Sequence, residues 1–196
     1  MKKIINIFTI LGLVTLFTSA NIYAQEVYQL VPSKSSLTIK GTSSLHDWSM
    51  KAKSLSCNLK TDVENMNVQR ISNVDFSCHV DQIVSDESGI MDSKAHNALK
   101  GDKFPVISFK FLSESALDGA NQQFKGTITG NLTIAGKTKT VSVPFSGSLQ
   151  PNGDILVKGT IPVKMSEFSI DPPTAFFGTL KTGDVVNLQY SFEFSK

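Results

Sequence analysis

"VNLQYSFEFS", residues 186–195, sets Val186, Leu188, Tyr190, Phe192 and Phe194 against Asn187, Gln189, Ser191, Glu193 and Ser195. Successive side chains of an extended strand point to opposite faces, so a strict period of two gives one oily face and one polar face. The same alternation recurs upstream. Leu37 and Ile39 show it, as do Leu55, Cys57 and Leu59, then Val74, Phe76, Cys78 and Val80. It continues through Ile107, Phe109 and Phe111, through Ile128, Leu132 and Ile134, through Val141, Val143 and Phe145, and along Ile155, Val157, Ile161, Val163 and Met165. These runs predict at least eight strands and an all-β fold.

The punctuation predicts antiparallel neighbours. Ala135-Gly136-Lys137 and Gln150-Pro151-Asn152-Gly153-Asp154 each separate two alternating runs with the Gly or Asn that tight hairpins use. Pro144 and Pro162 fall inside strand-like runs and predict local irregularity, because proline lacks the N–H of a ladder. One stretch departs from the pattern: "SGIMDSKAHNALKGDKFP", residues 88–105. Asp92 as cap, Ala95, Ala98 and Leu99 at helical spacing, Gly101 as terminator and Pro105 as stop predict one short helix of about three turns.

A sheet with one apolar face needs a cover, and one helix is too little. Closure of the sheet on itself covers that face and removes exposed edges. The expected fold is an extended, antiparallel, eight-stranded lipocalin-like β-barrel with one short helix, wide enough to be filled by side chains or to hold one small ligand. The inward set carries no charge, so any cavity would be oily.

At the N-terminus, Lys2 and Lys3 precede an apolar run from Ile4 to Phe17 and a small or polar stretch to Ala24, the pattern of a secretory signal peptide over residues 1–24. The run is shorter than a membrane span of about 20 residues. No cysteine follows the cleavage point, so no lipid anchor is expected. Residues 25–196 are then one domain. Without Lys2 and Lys3 it holds 17 basic and 17 acidic residues, a balance that argues against nucleic acid as a partner. An exported chain meets an oxidising compartment. Cys57 and Cys78, the only cysteines, are therefore either a disulfide between neighbouring strands or two small buried hydrophobes.

The ordered series "YQLVPSKSSLTIKGTSSLHDW" (28–48), "DESGIMDSKAHNALKGDKFPVISFKF" (86–111), "TGNLTIAGKTKTVSVPF" (129–145), "SEFSI" (166–170) and "TGDVVNLQYSFEF" (182–194) resembles the YceI-like family of exported bacterial proteins, in its His-Asp-Trp branch. The resemblance covers nearly all of residues 26–195. It implies a lipocalin-like barrel whose interior takes an amphiphilic lipid, a polyisoprenoid such as an isoprenoid quinone or prenyl phosphate, and a periplasmic location rather than full secretion. No enzyme activity, resident cofactor or metal is implied, and a homodimer is compatible with it.

His46-Asp47-Trp48 holds the single tryptophan beside a histidine and a carboxylate. Adjacent strand residues face opposite ways, so His46 and Asp47 form no natural dyad, and Ser43, Ser44 and Asp47 are turn formers. The balance favours a bend at the barrel rim, with Trp48 packed there and His46 at most a head-group contact. His46, His79 and His96 lack zinc-ligand spacing. Lys94, His96, Lys100 and Lys103 cluster on and after the helix, as head-group contacts or, more simply, as a solvated face. Phe104, Phe109, Phe111, Phe168, Phe176, Phe177 and Tyr190 are candidates to wall an apolar tunnel, and "DPPTAFFG" (171–178) is a candidate gate. The leading expectation is a carrier or store for an amphiphilic isoprenoid-like lipid. The alternatives are a filled barrel serving as an interaction or stress-protection module, and, further off, a hydrolase-type enzyme using His46.

Overall fold

The longest alternating run forms the longest strand, 16 residues from Leu180 to Ser195. Around it, a computed structural model describes residues 25–86, 89–120, 122–175 and 178–196. The expected leader, residues 1–24, and Phe176 and Phe177 lie outside the described residues.

In chain order the elements are β1 (Gln25–Leu30), β2 (Ser36–Ser43), β3 (Trp48–Ala52), β4 (Leu55–Glu64), β5 (Asn67–His79), β6 (Ile83–Ser85) and α1 (Gly89–Ala98). They continue with β7 (Val106–Glu114), β8 (Asp118–Ala120), β9 (Gln123–Ile134), β10 (Lys137–Leu149), β11 (Ile155–Lys164), β12 (Thr174–Ala175) and β13 (Leu180–Ser195). Eight of them close an antiparallel barrel in the order β1-β4-β5-β7-β9-β10-β11-β13, with β13 returning to β1. The all-β, eight-stranded barrel with one helix expected from the sequence is the fold observed.

Closure is local. β1 meets β13 only at Gln29↔Ser195 and Leu30↔Phe194. Farther along, the same edge of β13 pairs instead with β2, from Ser191↔Ser36 to Thr182↔Ser43, and β2 carries β3 and then β6. The barrel is thus sealed at one end and split at the other, where α1 packs against β6. His96 Nε2 lies 2.7 Å from Ile83 O, and the Ser85 N–H donates to Asp92 Oδ1 at 2.7 Å.

These contacts correct the expected helix start. The helix begins at Gly89, and Asp92, in its first turn, serves β6 rather than capping the helix. At the other end, Lys100 takes the left-handed conformation (φ 55°), and the Lys100 and Gly101 N–H groups bond Asn97 O and His96 O. That is the Schellman arrangement, with lysine in the position glycine usually holds. Gly101 is needed for space instead: a Cβ there would lie 2.9 Å from Val80 Cγ1.

Ile134↔Lys137 closes a two-residue hairpin through Ala135 and Gly136, both at positive φ as a type I′ turn requires. Of the two prolines, Pro144 marks the expected irregularity. β10 and β11 pair only from Leu149↔Ile155 to Ser146↔Lys158, and beyond that the Tyr190 hydroxyl donates to Pro144 O at 2.8 Å. At Pro162 the register with β13 runs unbroken, contrary to expectation. There β11 has no β10 partner, so a residue without an N–H is tolerated.

Cys57 and Cys78 are both buried free thiols. Cys57 stands opposite Phe76 and Cys78 opposite Leu55, so the two lie on a diagonal of the β4–β5 ladder and no disulfide joins them. Directly opposite residues are the ones whose Cβ atoms come close enough for a bridge.

Candidate functional site

Along β13, Val186 and Phe194 are buried, yet Leu188, Tyr190 and Phe192 between them are only half-buried although they share the inward face. The surface they expose faces a hollow. At the split end lies a chamber of about 430 Å³, walled by Leu37 and Ile39 of β2, Met50 of β3, Met91 and Leu99 around α1, and Val186 of β13, among others. Deeper in the barrel is a second chamber of about 120 Å³, walled by Cys57, Leu59, Phe109, Phe145, Tyr190 and Phe192. Leu37, Phe76, Leu132 and Leu188 line both, forming an apolar collar between them. Past the second chamber, Tyr28, Leu30, Leu149 and Ile155 are buried and line neither, so the sealed end is solid. The filled-barrel alternative therefore holds for that end alone.

The wall is hydrocarbon except at the mouth, where Ser43, His46, Lys94, Thr174, Lys181 and Thr182 appear. Among the described residues no aspartate or glutamate lines either chamber. The apolar rim is exposed: Leu45 is 66% and Ile90 73% accessible. Side chains so exposed are unusual for residues that also border a cavity, and they mark where the tunnel opens.

The bend between β2 and β3 builds one side of this mouth. Its organiser is Ser43, whose Oγ accepts from the Leu45 and His46 N–H groups and donates to His46 O at 2.7 Å, while its own N–H donates to the same oxygen. Serine closing such a loop onto backbone is ordinary turn chemistry. Ser44 then ties the bend to β13: its N–H donates to Lys181 O at 2.9 Å, and its Oγ accepts from the Lys181 N–H at 3.1 Å. Trp48 Nε1 donates to Thr42 O at 3.0 Å, and the ring lies flat over Gly41, where a Cβ would sit 2.2 Å from it. His46 is exposed, with Nδ1 2.7 Å from Asp47 O. Its contact with Asp47 is to the backbone, so the pair is no carboxylate–imidazole dyad. Among the described residues no three His, Cys, Asp or Glu side chains converge as metal ligands.

On the opposite side, the turn Met165–Phe168 presents Met165 and Phe168 to the chamber. It is pinned by Asp184, which accepts from Ser166 N at 2.8 Å and from Ser166 Oγ at 2.7 Å. These bonds hold the Asp184 carboxyl below the usual aspartate range. Burial pushes both thiols up to about 12, with Asp75 adding to the effect at Cys57, so neither is a nucleophile near neutral pH. Burial also raises the Tyr190 phenol.

The expected tunnel residues are divided. Trp48, His46 and Phe168 line the large chamber; Phe109 and Tyr190 line the small one. Phe104 and Phe111 line neither. Phe104 covers the β9–β10 turn, where a Cβ on Gly136 would lie 2.4 Å from its ring, and carries Lys103 Nζ 5.3 Å above it. Phe111 packs half-buried against the core. From the expected gate, Pro173 and Thr174 reach the mouth. The basic cluster on and after the helix does not converge: Lys94 alone borders the chamber, whereas Lys100 Nζ donates to Ser169 O and His96 meets Ile83 O. Sequence reasoning missed Leu45, Ile90, Met50, Met91 and Lys181. Leu45 did carry a signal, an isolated large apolar residue amid Ser, His and Asp.

A sequence model of the YceI-like domain matches residues 28–194. No relative among curated proteins matches. Among solved structures, BcnA of Burkholderia cenocepacia superposes with a TM-score of 0.65 at 18% identity, covering 84% of this chain and 98% of that one. A polyisoprenoid-binding domain from Saccharophagus degradans, implicated in plant cell wall breakdown, gives 0.64 at 8% identity, with 86% and 97% covered. The YceI protein of Campylobacter jejuni gives 0.57 at 20% identity, with 75% and 84% covered. At such identities the likeness is one of fold.

Proposed function

This chain belongs to the YceI-like family, and from that premise we propose that it is an exported, periplasmic binding protein that sequesters or carries an amphiphilic, isoprenoid-like lipid. The observation that carries the reading is the chamber of about 430 Å³, apolar along its walls and with its polar residues gathered at the mouth. A similarly folded domain is described as polyisoprenoid-binding, which supports the same ligand class.

Burial supplies the affinity. Each methylene removed from water contributes about 0.8 kcal/mol, so about fifteen carbons contribute about 12 kcal/mol. Association costs at least about 4 kcal/mol of that. What is left corresponds to micromolar binding or tighter, with no reaction and few polar contacts. Volume bounds the tail. At about 30 Å³ of liquid volume per water-sized group, the large chamber holds about fourteen groups, and both chambers together about eighteen. A tail of about three isoprene units fits, and a longer one would trail from the mouth.

Native protein purified without detergent, extracted with organic solvent and examined by mass spectrometry tests the reading. Recovery of a stoichiometric amphiphile is expected. Repeated recovery of lipid-free protein that also fails to take up added prenyl lipids would overturn it.

A further inference from the structure

Among the described residues, the mouth of the large chamber carries cations and no carboxylate. Its charged lining residues there are Lys94 and Lys181, with His46 beside them. Asp47 and Asp171 are neighbours in sequence, on the bend and ahead of Pro173, yet neither borders the cavity. Among the described residues, neither lysine has a carboxylate within ion-pair distance; the pairs formed involve Lys34, Lys51, Arg70, Lys110, Lys125 and Lys196.

The two lysines also meet at one strand pair. Lys94 Nζ donates to Thr174 O at 3.1 Å, and Thr174 stands opposite Lys181 in the β12–β13 ladder. Lys181 is locked in place on its other side by the two backbone bonds to Ser44. Three segments far apart in sequence thus bring Lys94, Lys181 and His46 to one rim of an oily tunnel. Low-dielectric walls focus such a field outward through the opening.

We propose that the head group of the bound amphiphile is anionic, a carboxylate or a phosphomonoester, received by Lys94 and Lys181 with His46 as a further donor, and that this charge selects against neutral amphiphiles of the same tail. The inference rests on the lipid-binding reading and names the ligand class that reading leaves open. An anion on a hydrocarbon tail is the one chemistry that uses both halves of the site. The wall takes the tail, and the lysine ammonium groups, each with three donors, take the oxygens at the rim.

Trp48 supplies the readout, because it is the only tryptophan in the chain and lines the large chamber. Delipidated protein is titrated at low salt with geranylgeranyl phosphate, geranylgeraniol, palmitate and hexadecanol, following Trp48 emission. The expected result is that each anion binds at least tenfold more tightly than the alcohol with its tail, and that the difference shrinks as salt is raised. The Lys94→Gln/Lys181→Gln double variant should lower the anions to the affinity of the alcohols. Both lysines are exposed, so the variant should fold, and the salt dependence of the unmodified protein gives an independent reading. Stronger binding of the phosphate points to a prenyl phosphate, and stronger binding of palmitate to a fatty acid; either supports the proposal. Equal affinity for anion and alcohol, or a preference that survives the double variant, overturns it and leaves lipid binding intact. Failure of all four to bind overturns both.

Discussion

The two ends of the barrel use the same inward-facing alternation to opposite ends. From the inner chamber toward the sealed end, rings lie across glycines: a Cβ on Gly130 would meet Phe109 at 2.2 Å, on Gly147 Phe124 at 2.4 Å, and on Gly159 the Tyr190 hydroxyl at 2.4 Å. Each missing side chain lets a ring fold flat toward the barrel axis. Phe76 stacks on Phe192 at 5.8 Å, and Phe124 meets Phe145 edge-on at 6.2 Å. At the split end the wall is mostly Leu, Ile, Met and Ala, and the ring of Trp48 over Gly41 stands at the rim. Aromatic residues therefore gather around the inner chamber and the sealed end, while the large chamber is walled mainly by aliphatic side chains.

The strongest way to break that comparison is to remove a ring. Phe124→Ala is expected to cost about 3–5 kcal/mol in urea denaturation, as for a fully packed aromatic. Met91→Ala, on the wall of the large chamber, should cost under about 2 kcal/mol, because its side chain is only half-buried there. Equal losses would mean that the two ends are packed alike.

Adding atoms should separate the ends in the same sense. Gly147→Ala forces a methyl to within 2.4 Å of the Phe124 ring and is expected to cost about 1–3 kcal/mol. Ala95→Phe, pointing into the large chamber, should change stability by less than about 1 kcal/mol and yet reduce the lipid recovered by extraction. A large loss of stability in the second variant would show that the chamber closes in solution.

A smaller effect distinguishes the chambers from each other. With both thiols held near 12, about one in 10⁴ is ionised at pH 8, so alkylation of folded protein should be slow. Cys78 borders the open chamber and Cys57 the inner one. A small neutral reagent followed by peptide mass mapping should label Cys78 first, and bound lipid should suppress that labelling. Preferential labelling of Cys57 would place the entrance elsewhere.

How far the sequence foretold this molecule follows from the range of each interaction. Alternation is a local property, so the strands and the closed barrel were legible in runs such as residues 186–194. The helix was legible too, but its start was not, since the Asp92 carboxylate is taken up by Ser85 of another element. The mouth was legible only in part. The Ser43–Trp48 bend declared itself through its turn formers, whereas Lys181 reached the rim by bonding Ser44, 137 positions away. Hollow and filled ends could not be told apart, because an inward Leu reads the same whether or not another side chain faces it. The thiols were undecided for a like reason, the register that sets Cys57 diagonal to Cys78 being a pairing property.

The two ends also differ in what holds them, and pH probes that difference with the smallest effect of all. The sealed end rests on apolar packing, while the mouth is pinned by polar clamps: Ser44 to Lys181, Asp92 to Ser85, and Asp184 to Ser166. The Ser166 bonds favour the ionised form of Asp184 and so depress its pKa in the folded protein. A depressed carboxyl contributes stability that is present above its unfolded pKa and lost as pH falls through the folded value. Asp184 lies at the surface, so the gain is strongly screened and should act on the local turn rather than on the whole barrel. Acidification below the ordinary aspartate range should therefore release the Met165–Phe168 turn first, raising amide exchange there while the strands that bury Phe109 and Phe124 stay protected. Asp184→Asn should show the faster exchange already at neutral pH and lose most of its acid dependence. If exchange at that turn tracks the sealed end at every pH, the clamps contribute nothing separate, and the two ends open as one unit.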